Sequence, residues 1–498
     1  MRYVIGLDAG TTCFKAGLYD EKLNTIIIES YEYRLIYSDN FVEMKPEDFW
    51  QIFCRLIKSL LKKSGVTPDD IVGLSICSQG ETLIILDNDG EPLRNAIIWT
   101  DTRAISQAEK LKEQFPDREI FDITGQREVT AMWPASKLLW IKENEPIIFE
   151  KCAHVLLLED YLIYRLTGLF ATDKSISSST VYLDIYKGVW WDKMLSAIGI
   201  NESMLPKIYE SGTPVGKLSE KGAFECGLSV KTIVSSGALD QASGMLGAGN
   251  INAGTITETT GTCLAVCANV GDKRLSFDDG LLPTHYGIIK GTYYTIFWSA
   301  AAGSIYRWVR DVFYKKDNSD NLFKLIDEEA DSVPPGCEGL MLMPYLSGLN
   351  YPFTAENAKG SFEGISLTHR REHFARAVLE SIAFLLKQSV DEISNYGIDV
   401  KEIFSLGGGS SSKLWNQIKA DVTDKTIYVL KDDEVTCKGA AIMAAVGCGI
   451  FNEFKNAVKQ TVSINKVFSP DETEIYKEIY SEFIKKSEIY YNNIKQNR

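Results

Sequence analysis

The sequence predicts an α/β protein with two similar domains that face a shared cleft. The chain has 498 residues, which exceeds what one hydrophobic core normally holds and is typical of two or three domains. Short β-like runs alternate with helical runs along most of its length, and this alternation indicates an α/β architecture. A Gly-Thr hairpin at Gly10-Thr11-Thr12 returns at Gly261-Thr262 about half a chain later, which hints at an internal duplication.

The composition excludes several classes of protein. Hydrophobic residues make up 45% and charged residues 24% of the chain, an ordinary globular balance. The net charge of -14 argues against a nucleic-acid-binding protein, whose surface is basic. The N-terminus does not form a signal peptide, and no apolar run is long enough to span a membrane. We therefore expect a cytoplasmic protein with neither nucleic acid nor a membrane as partner.

The cysteines predict reduced thiols in the interior. The chain has ten cysteines without a Cys-x-x-Cys pair, and most of them lie in apolar surroundings. Its four histidines do not cluster with the cysteines. A zinc site is therefore not expected.

The first half of the chain is predicted to contain strands followed by helices. Pro46 begins a helix and Gly65 ends it, since proline favours a first turn and glycine a termination. A second helix begins near Trp133, and the serine-rich residues 175–180 are expected to form a surface connection. The predicted strands are residues 3–8, 14–19, 25–33, 71–77, 83–86 and 96–99.

The second half repeats this alternation. A β-like run over residues 232–236 leads into Gly237-Ala238-Leu239-Asp240, after which a helix is expected to begin. The further predicted strands are residues 255–259, 263–267, 403–406 and 427–430, and the further predicted helices are residues 240–249, 300–312, 369–396, 437–446 and a closing helix from Ser469.

Asp240 is a candidate functional carboxylate because it lies where a strand ends and a helix begins. A carboxylate there can accept a proton or bind a substrate hydroxyl. The alternative is an N-cap, because aspartate before a helix commonly caps it. The stretch alone does not decide between the two roles.

The first Gly-Thr hairpin has the residue types of a phosphate site. Gly10 lets a phosphate approach the backbone, and Thr11 and Thr12 offer N–H and hydroxyl groups. Lys15 supplies positive charge, and Asp8 could bind a hydrated Mg²⁺. An ordinary hairpin turn is the alternative, and the second hairpin half a chain away favours the phosphate site.

The triple glycine Gly407-Gly408-Gly409 follows one predicted strand and precedes a helix. Such a turn lets a nucleotide lie against the backbone. A flexible loop is the alternative, since the pattern is neither a P-loop nor a Rossmann fingerprint.

Polar residues at strand ends predict a crevice for a polyhydroxylated ligand. Acidic and amide side chains match sugar hydroxyls, and tryptophan offers an aromatic wall. A surface ion pair between Asp101 and Arg103 is the alternative for one of them. The residues of this set are Glu81, Trp99, Asp101, Trp133, Asp240 and Gln241.

Together these motifs resemble those of the FGGY carbohydrate kinases, the group that includes xylulokinase and glycerol kinase. The resemblance covers nearly the whole chain, from Ile5 to about Gly449. The matching pieces occur in the order of the family: Leu7-Asp8-Ala9-Gly10-Thr11-Thr12, Trp99-Thr100-Asp101-Thr102-Arg103, Ser136-Lys137-Leu138-Leu139-Trp140, Gly237-Ala238-Leu239-Asp240-Gln241, Thr260-Gly261-Thr262, Gly360-Ser361-Phe362-Glu363-Gly364-Ile365 with His373-Phe374 and Glu380, and Gly407-Gly408-Gly409.

The resemblance implies two domains of the actin, hexokinase and Hsp70 type, which are ribonuclease H-like, with ATP and a sugar between them. Residues 1–244 would bind the sugar and carry the first phosphate hairpin, and residues 245–498 would bind the nucleotide. A homodimer is a candidate assembly. Asp240 would be the general base, and Asp8 and Asp240 would bind Mg²⁺.

The resemblance also assigns binding residues. Those implied for ATP are Gly10, Thr11, Thr12, Lys15, Gly261, Thr262, Gly303, Gly408, Gly409 and Ser412. Those implied for the sugar are Gln79, Glu81, Trp99, Asp101, Trp133, Asp240 and Gln241.

Departures from the family pattern bear on the substrate. Glycerol kinases carry Arg-Glu after the glutamine that matches Gln79, whereas this chain has Gly80-Glu81, so the arginine that grips glycerol is missing. Xylulokinases carry Met-His there, which is absent too. The pattern Trp99-x-Asp101-x-Arg103 is xylulokinase-like, whereas Gln241 after the base follows glycerol kinases.

The resemblance therefore predicts ATP-dependent phosphorylation of a sugar or polyol hydroxyl, with a pentulose such as xylulose first and a hexulose within range. A glycerol or tetritol kinase is one alternative. A nucleotide-dependent binding or regulatory protein without sugar turnover is the other, because the same fold serves such proteins.

Overall fold

A computed structural model describes residues 1–280, 282–317, 321–355 and 357–496. Its strands are β1 (Tyr3–Ala9), β2 (Cys13–Asp20), β3 (Thr25–Glu32), β4 (Ile36–Ser38), β5 (Phe41–Met44), β6 (Ile71–Ser78), β7 (Leu83–Leu86), β8 (Ala96–Ile97), β9 (His154–Leu157), β10 (Ala171–Asp173), β11 (Leu183–Asp184), β12 (Val189–Trp190), β13 (Lys207–Tyr209), β14 (Pro214–Lys217), β15 (Ile233–Leu239), β16 (Thr255–Thr260), β17 (Leu264–Gly271), β18 (Thr284–Tyr286), β19 (Tyr293–Ser299), β20 (Met341–Met343), β21 (Ser361–Glu363), β22 (Glu402–Leu406), β23 (Thr426–Leu430) and β24 (Ile464–Phe468).

Helices separate these strands along the chain and confirm the predicted α/β class. They are α1 (Pro46–Ser64), α2 (Ile105–Gln114), α3 (Asp117–Thr124), α4 (Pro134–Asn144), α5 (Pro146–Glu150), α6 (Leu158–Thr167), α7 (Lys174–Ser177), α8 (Asp192–Ile198), α9 (Glu220–Cys226), α10 (Asp240–Ala248), α11 (Gly303–Phe313), α12 (Leu322–Asp331), α13 (Arg371–Asn395), α14 (Lys413–Thr423), α15 (Val435–Gly447), α16 (Phe454–Thr461) and α17 (Thr473–Gln496).

The first large sheet has the strand order β14-β15-β6-β1-β2-β3. Strands β1, β2 and β3 pair antiparallel, which confirms the predicted meander, whereas β1, β6 and β15 run parallel. The carboxyl ends of these three parallel strands lie at one edge of the sheet. That edge therefore brings together Asp8, Gln79 and Asp240, which end or directly follow the three strands.

The second large sheet has the order β18-β19-β17-β16-β22-β23-β24 and repeats this plan. Strand β16 pairs antiparallel with β17 and parallel with β22, as β1 pairs with β2 and β6. The next pair along, β22 with β23, is parallel, and β24 then closes the edge antiparallel, as β14 does in the first sheet. The matching order agrees with the duplication that the two Gly-Thr hairpins suggested.

Helix α15, from the second half of the chain, packs against the first sheet. A Cβ on Gly6 of β1 would lie 2.1 Å from the Cys437 carbonyl oxygen, so the strand and the helix touch through their backbones. Helices α10 and α15 cross with equally little space, since a Cβ on Gly247 would lie 1.9 Å from the Val435 carbonyl oxygen. This contact explains why the predicted helix over residues 437–446 is rich in small residues.

Local signals set the boundaries of α1 as predicted. Pro46 is its first residue, acids occupy the first turn, and Gly65 ends it in the left-handed conformation with φ 70°. Its apolar face buries Phe49, Phe53 and Leu56 in the core beneath the first sheet.

The prediction that residues 175–180 form a surface connection is wrong. This stretch is buried, and helix α7 occupies its first part. Asp173 caps the helix by accepting hydrogen bonds from the amides of Ser175 and Ile176. Serine hydroxyls satisfy neighbouring backbone carbonyls, so a serine-rich run is accommodated inside the protein.

All ten cysteines are free thiols, as predicted, and most are buried. In the part of the chain that the structure describes, no helix combines the length and apolar character needed to cross a bilayer.

Candidate active site

Asp240 is the first residue of α10, directly after β15, and Leu239 occupies the N-cap position. The half-buried Asp240 carboxylate accepts a hydrogen bond from the amide of Gln241 at 2.6 Å. Burial raises its pKa from the ordinary value to about 6, while the bonds to Gln241 act in the opposite direction. The carboxylate is thus ionised at neutral pH but holds a proton more readily than a free aspartate, as a general base requires.

Asp8 provides a second carboxylate at the same edge. Burial and, to a smaller extent, the charge of Asp240 raise its pKa to about 8, and Lys15 acts against both. The Asp8 Oδ1 atom is buried and has no hydrogen-bond partner among the described residues. Such an oxygen is costly to bury unless a cation or donor meets it in the loaded site.

The donor set fits magnesium better than a metal held by protein alone. No cluster of three or more His, Cys, Asp or Glu side chains suited to a metal occurs within the described ranges. Magnesium commonly binds one or two carboxylates and completes its shell with water and phosphate oxygens. Two carboxylates such as those of Asp8 and Asp240 would be enough protein ligands for a Mg²⁺ ion carried by a nucleotide.

The loop after β6 presents polar groups to the same edge. Gln79 is buried, and neither atom of its side-chain amide has a partner among the described residues. Glu81 adopts the left-handed conformation with φ 56°, which is unusual for a residue other than glycine. Burial raises the pKa of Glu81, and the charge of Asp240 adds to this, whereas Lys137 lowers it.

Gly80 lies in a tight space between these two residues. A Cβ at this position would be 2.8 Å from Cδ1 of Leu239 and 2.9 Å from Oγ of Ser179. Any side chain at residue 80 therefore requires its neighbours to move.

The two candidate tryptophans are anchored differently. The indole N–H of Trp99 donates to the Thr11 hydroxyl at 2.8 Å, which ties the loop after β8 to the first Gly-Thr hairpin. The indole N–H of Trp133 donates to the Glu128 carbonyl at 3.0 Å, just before α4 begins. Trp99 is thus held between the predicted sugar and phosphate residues, whereas the bond of Trp133 stays within its own loop.

The assignment of Asp101 to sugar binding needs correction. Its side chain is fully buried, and it accepts bonds from the Arg103 guanidinium and from the amide of Val42. Arg103 is in turn bonded to Glu43 at 2.7 Å. Because its oxygens are engaged inside the protein, Asp101 supports the loop that carries Trp99 and is not exposed to a ligand.

Gln241 lies between the two halves of the chain. Its Oε1 atom accepts a hydrogen bond from the Cys267 thiol of β17 at 3.6 Å. The amide group next to the base is therefore oriented by the second sheet.

The predicted role of Lys15 in phosphate binding stays a prediction. Lys15 lies opposite Asp8 in the β1–β2 pairing, as the hairpin spacing requires. Its ammonium group, however, binds Glu434 at 2.7 and 2.8 Å, just before α15. The ammonium group expected to face a phosphate therefore has a carboxylate partner in this structure, and both side chains of the pair are partly exposed.

Residues predicted to bind the nucleotide line one cavity of about 840 Å³. This volume suits a ligand of nucleotide size. The cavity lies at the carboxyl ends of the parallel strands β16 and β22. Its predicted lining residues are Gly261, Gly303, Gly408, Gly409 and Ser412.

Close backbone contacts explain two of these glycines. A Cβ on Gly303 would lie 2.2 Å from the Gly261 carbonyl oxygen, and one on Gly409 would lie 2.7 Å from the Thr260 side chain. Ser412 caps α14 by accepting a bond from the amide of Trp415 at 3.0 Å. Thr262 lies beside the cavity and accepts bonds from the amides of Ala302 and Ser304, which joins the second hairpin to α11.

A buried ion pair beneath the second hairpin escaped the sequence analysis. The ammonium group of Lys419 contacts Glu258 Oε1 at 2.6 Å and the Thr260 hydroxyl at 3.0 Å, and both charged side chains are fully buried. The pair connects α14 to β16 directly below the Gly261 turn. A lysine on an amphipathic helix gives no sequence signal that distinguishes it from a solvated one.

Comparison with protein families settles the class of this site. Residues 3–247 match the N-terminal domain, and residues 256–448 the C-terminal domain, of the FGGY family of carbohydrate kinases. The chain belongs to this family. It is therefore a phosphotransferase that acts on a sugar-type substrate and uses ATP.

Individual relatives cover nearly the full chain. The chain is 32% identical to a xylulose kinase from Bacillus subtilis, over 96% of this chain and 94% of the relative. It is 31% identical to a glycerol kinase from Thermococcus gammatolerans, over 94% of each. Among solved structures, ligand-bound xylulose kinase from Lactobacillus acidophilus superposes with a TM-score of 0.91 at 25% identity and covers 100% of both chains. These matches confirm the predicted two-domain fold.

Proposed function

We propose that this protein transfers the γ-phosphoryl group of ATP to a hydroxyl of a pentulose such as xylulose, with Asp240 as general base. The observation that carries this proposal is the position of Asp240. Its carboxylate begins α10 beside Asp8 and Gln79, and burial places its pKa at about 6. It has no cationic side chain as a direct partner in the described part of the chain, so it is available to a substrate hydroxyl.

The other residues position the reactants. The unpaired amide of Gln79, the carboxylate of Glu81 and the amide of Gln241 suit sugar hydroxyls, and Trp99 offers an aromatic face. The cavity at Gly261 and Gly409 accepts the nucleotide, with its phosphates directed toward the two hairpins. Phosphoryl transfer depends mainly on such positioning, because the transition state requires little covalent participation by the protein.

Asp8 and Asp240 are the residues that would hold magnesium. When bound, Mg²⁺ would neutralise charge on the phosphates. A cation at the unpaired Oδ1 of Asp8 would supply the missing partner and would lower the pKa of this carboxyl, which burial raises.

Relatives and local packing support the choice of substrate. Xylulose kinases recur among the similar proteins, although a glycerol kinase at 31% identity makes glycerol the second candidate. Gly80 weighs against glycerol, because Leu239 and Ser179 fill the space that the glycerol kinase arginine would need to enter. A binding protein without turnover is less well supported, since the two acids at the sheet edge are those that catalysis requires.

An ADP-release screen tests the proposal. The purified protein with ATP and Mg²⁺ is offered xylulose, other pentuloses, hexuloses, glycerol and tetritols, with each acceptor omitted in turn as the control. Fastest release with a pentulose is expected. Preference for glycerol would reverse the substrate assignment, and silence with every acceptor would favour the binding protein.

We also propose a cytoplasmic location and a homodimer as the assembly. The ten free thiols support a reducing compartment. Light scattering after size exclusion would measure the assembly, and a mass of one chain would contradict the dimer.

A further inference from the structure

Lys137 joins two loops that approach the sheet edge from different strands. It belongs to α4, and its side chain is fully buried. Its ammonium group donates to the Glu81 carbonyl at 3.0 Å and to the Ile98 carbonyl at 2.9 Å. The first carbonyl lies in the loop after β6, and the second lies directly after β8.

These two loops carry the groups assigned to the acceptor. The loop after β6 holds Gln79 and Glu81, and Glu81 adopts its left-handed conformation at the residue whose carbonyl Lys137 binds. The loop after β8 holds Trp99, one residue beyond the other bonded carbonyl. A single ammonium group therefore fixes the spacing between the polar side and the aromatic side of the crevice.

The burial of this lysine is costly and has no local ion pair to offset it. Within the described residues, no carboxylate oxygen lies within 4.0 Å of its ammonium nitrogen. Burial lowers the pKa of Lys137, and the charge of Glu81 only partly restores it. An apolar side chain of similar length would avoid this cost but would leave the Glu81 and Ile98 carbonyls without this donor, so the role of the lysine lies in binding these two carbonyls.

We propose that Lys137 is a positioning residue for the acceptor, which acts through the two loops and without contacting the sugar. This inference rests on the proposed function, because it assigns the loops to the acceptor. Loss of the ammonium group would free Glu81 to leave its left-handed conformation and would let Trp99 separate from Gln79. The nucleotide cavity at Gly261 and Gly409 would be unaffected.

Lys137→Met tests the inference, and Lys438→Met is its matched control. Lys438 is also buried, and its ammonium group donates to the Leu23 carbonyl at 2.6 Å and contacts Asp432 at 3.3 Å, outside both acceptor loops. Steady-state kinetics would give KM for acceptor and for ATP separately, and thermal unfolding would show whether each variant is folded.

For Lys137→Met we expect the acceptor KM to rise at least about tenfold, since small displacements of positioning groups are costly. The ATP KM should stay within about twofold, and the preference between pentulose and glycerol should narrow. Lys438→Met should leave the acceptor KM, the ATP KM and the preference between acceptors unchanged. An unaltered acceptor KM and preference in folded Lys137→Met would overturn the inference, as would equal loss of affinity for both substrates.

A second variant and one measurement on the unmodified protein complete the test. If Lys137→Met does not fold, Lys137→Gln replaces it, because the glutamine amide still donates to one carbonyl. A moderately raised acceptor KM in Lys137→Gln would support the positioning role of Lys137, and an acceptor KM equal to that of the unmodified protein would refute it. Failure of the proposed function is distinguishable from failure of this inference, because in the former case the unmodified protein would release no ADP with any acceptor.

Discussion

At the scale of single residues, the proposed chemistry depends on the charge of Asp240. Asp240→Asn keeps the shape of the side chain but cannot accept the hydroxyl proton. We expect turnover to fall by at least about 10²-fold, the lower end of what a general base supplies. ADP binding, measured by calorimetry, should change little because the nucleotide cavity is formed elsewhere.

Asp87→Asn serves as the control for this change. Asp87 closes a surface turn by accepting the amide of Asp89 at 3.0 Å, which an asparagine oxygen also does. Turnover close to that of the unmodified protein in Asp240→Asn would remove the general base from the mechanism.

Asp160 predicts how stability depends on pH. Burial raises the pKa of Asp160 to about 8, whereas an aspartate in the unfolded chain titrates near ~3.9. The folded state therefore retains a proton that the unfolded state has lost between these values. The contribution of Asp160 to the free energy of unfolding is fully present below pH ~4. It is lost as the pH rises toward 8, at up to about 1.4 kcal/mol per pH unit.

Asp160→Asn isolates this contribution. The asparagine oxygen still accepts the amide of Leu157, bonded at 2.8 Å in the present structure, but it does not ionise. Unfolding midpoints between pH 5.5 and 8 should decline less steeply in the variant. An identical decline would show that Asp160 does not titrate in this range.

Residues differ in how far sequence alone predicts them. Asp240 was a candidate because a β-like run ends and a helix begins around it, which is local information. Lys419 gave no such signal, since only the tertiary structure buries it, whereas Lys137 lay in a matching family motif without a role assigned to it. Asp101 was given two roles, and the ion pair with Arg103 proved to be the correct one, although buried and not at the surface.

At the scale of elements, the crossing of α10 and α15 has no room for side chains. A Cβ on Gly439 would lie 1.9 Å from the Ser243 carbonyl oxygen, so Gly439→Ala must push the helices apart. We expect a loss of about 1–3 kcal/mol in the free energy of unfolding, the usual cost of overpacking. Thermal or denaturant unfolding would measure it.

Gly244→Ala on α10 is the matched control. Its Cβ would lie 3.5 Å from the Thr436 hydroxyl, which is an ordinary contact. Alanine also favours a helix over glycine by roughly 1 kcal/mol, so stability should be kept or increased. Equal stability of Gly439→Ala and Gly244→Ala would show that α10 and α15 can move apart at little cost in free energy.

Elements were predictable where periodicity and capping agree. Helix α1 begins and ends at the predicted residues because Pro46 and Gly65 act through local backbone geometry. The run over residues 175–180 was mispredicted because serine is polar in isolation, yet it bonds nearby carbonyls when buried. The boundary at residue 244 stays a prediction, and it falls within α10.

At the scale of the whole molecule, the two large sheets have matching strand orders. The first sheet carries Asp8 and Asp240 at one edge, and the second sheet carries the nucleotide cavity at the corresponding edge. In-line transfer requires these groups to meet, and closure also excludes water from the phosphoryl group. We expect small-angle scattering to show a smaller radius of gyration when an acceptor and a non-hydrolysable ATP analogue are both present. The analogue alone is the control.

Asp240→Asn with both ligands should compact in the same way, because closure depends on binding of the ligands and not on proton transfer. A radius of gyration that does not respond to any ligand would contradict closure and would require that the reactants meet in the arrangement seen here.

The repeated Gly-Thr hairpins have a practical consequence. Each is followed by a cysteine, Cys13 on the first sheet and Cys263 on the second, and Cys263 is exposed whereas most of the other thiols are buried. The chain thus carries a thiol for a spectroscopic label beside each hairpin, exposed at Cys263 and half-buried at Cys13. The distance between two such labels would report, molecule by molecule and in real time, how far apart the phosphate-binding turns are during turnover.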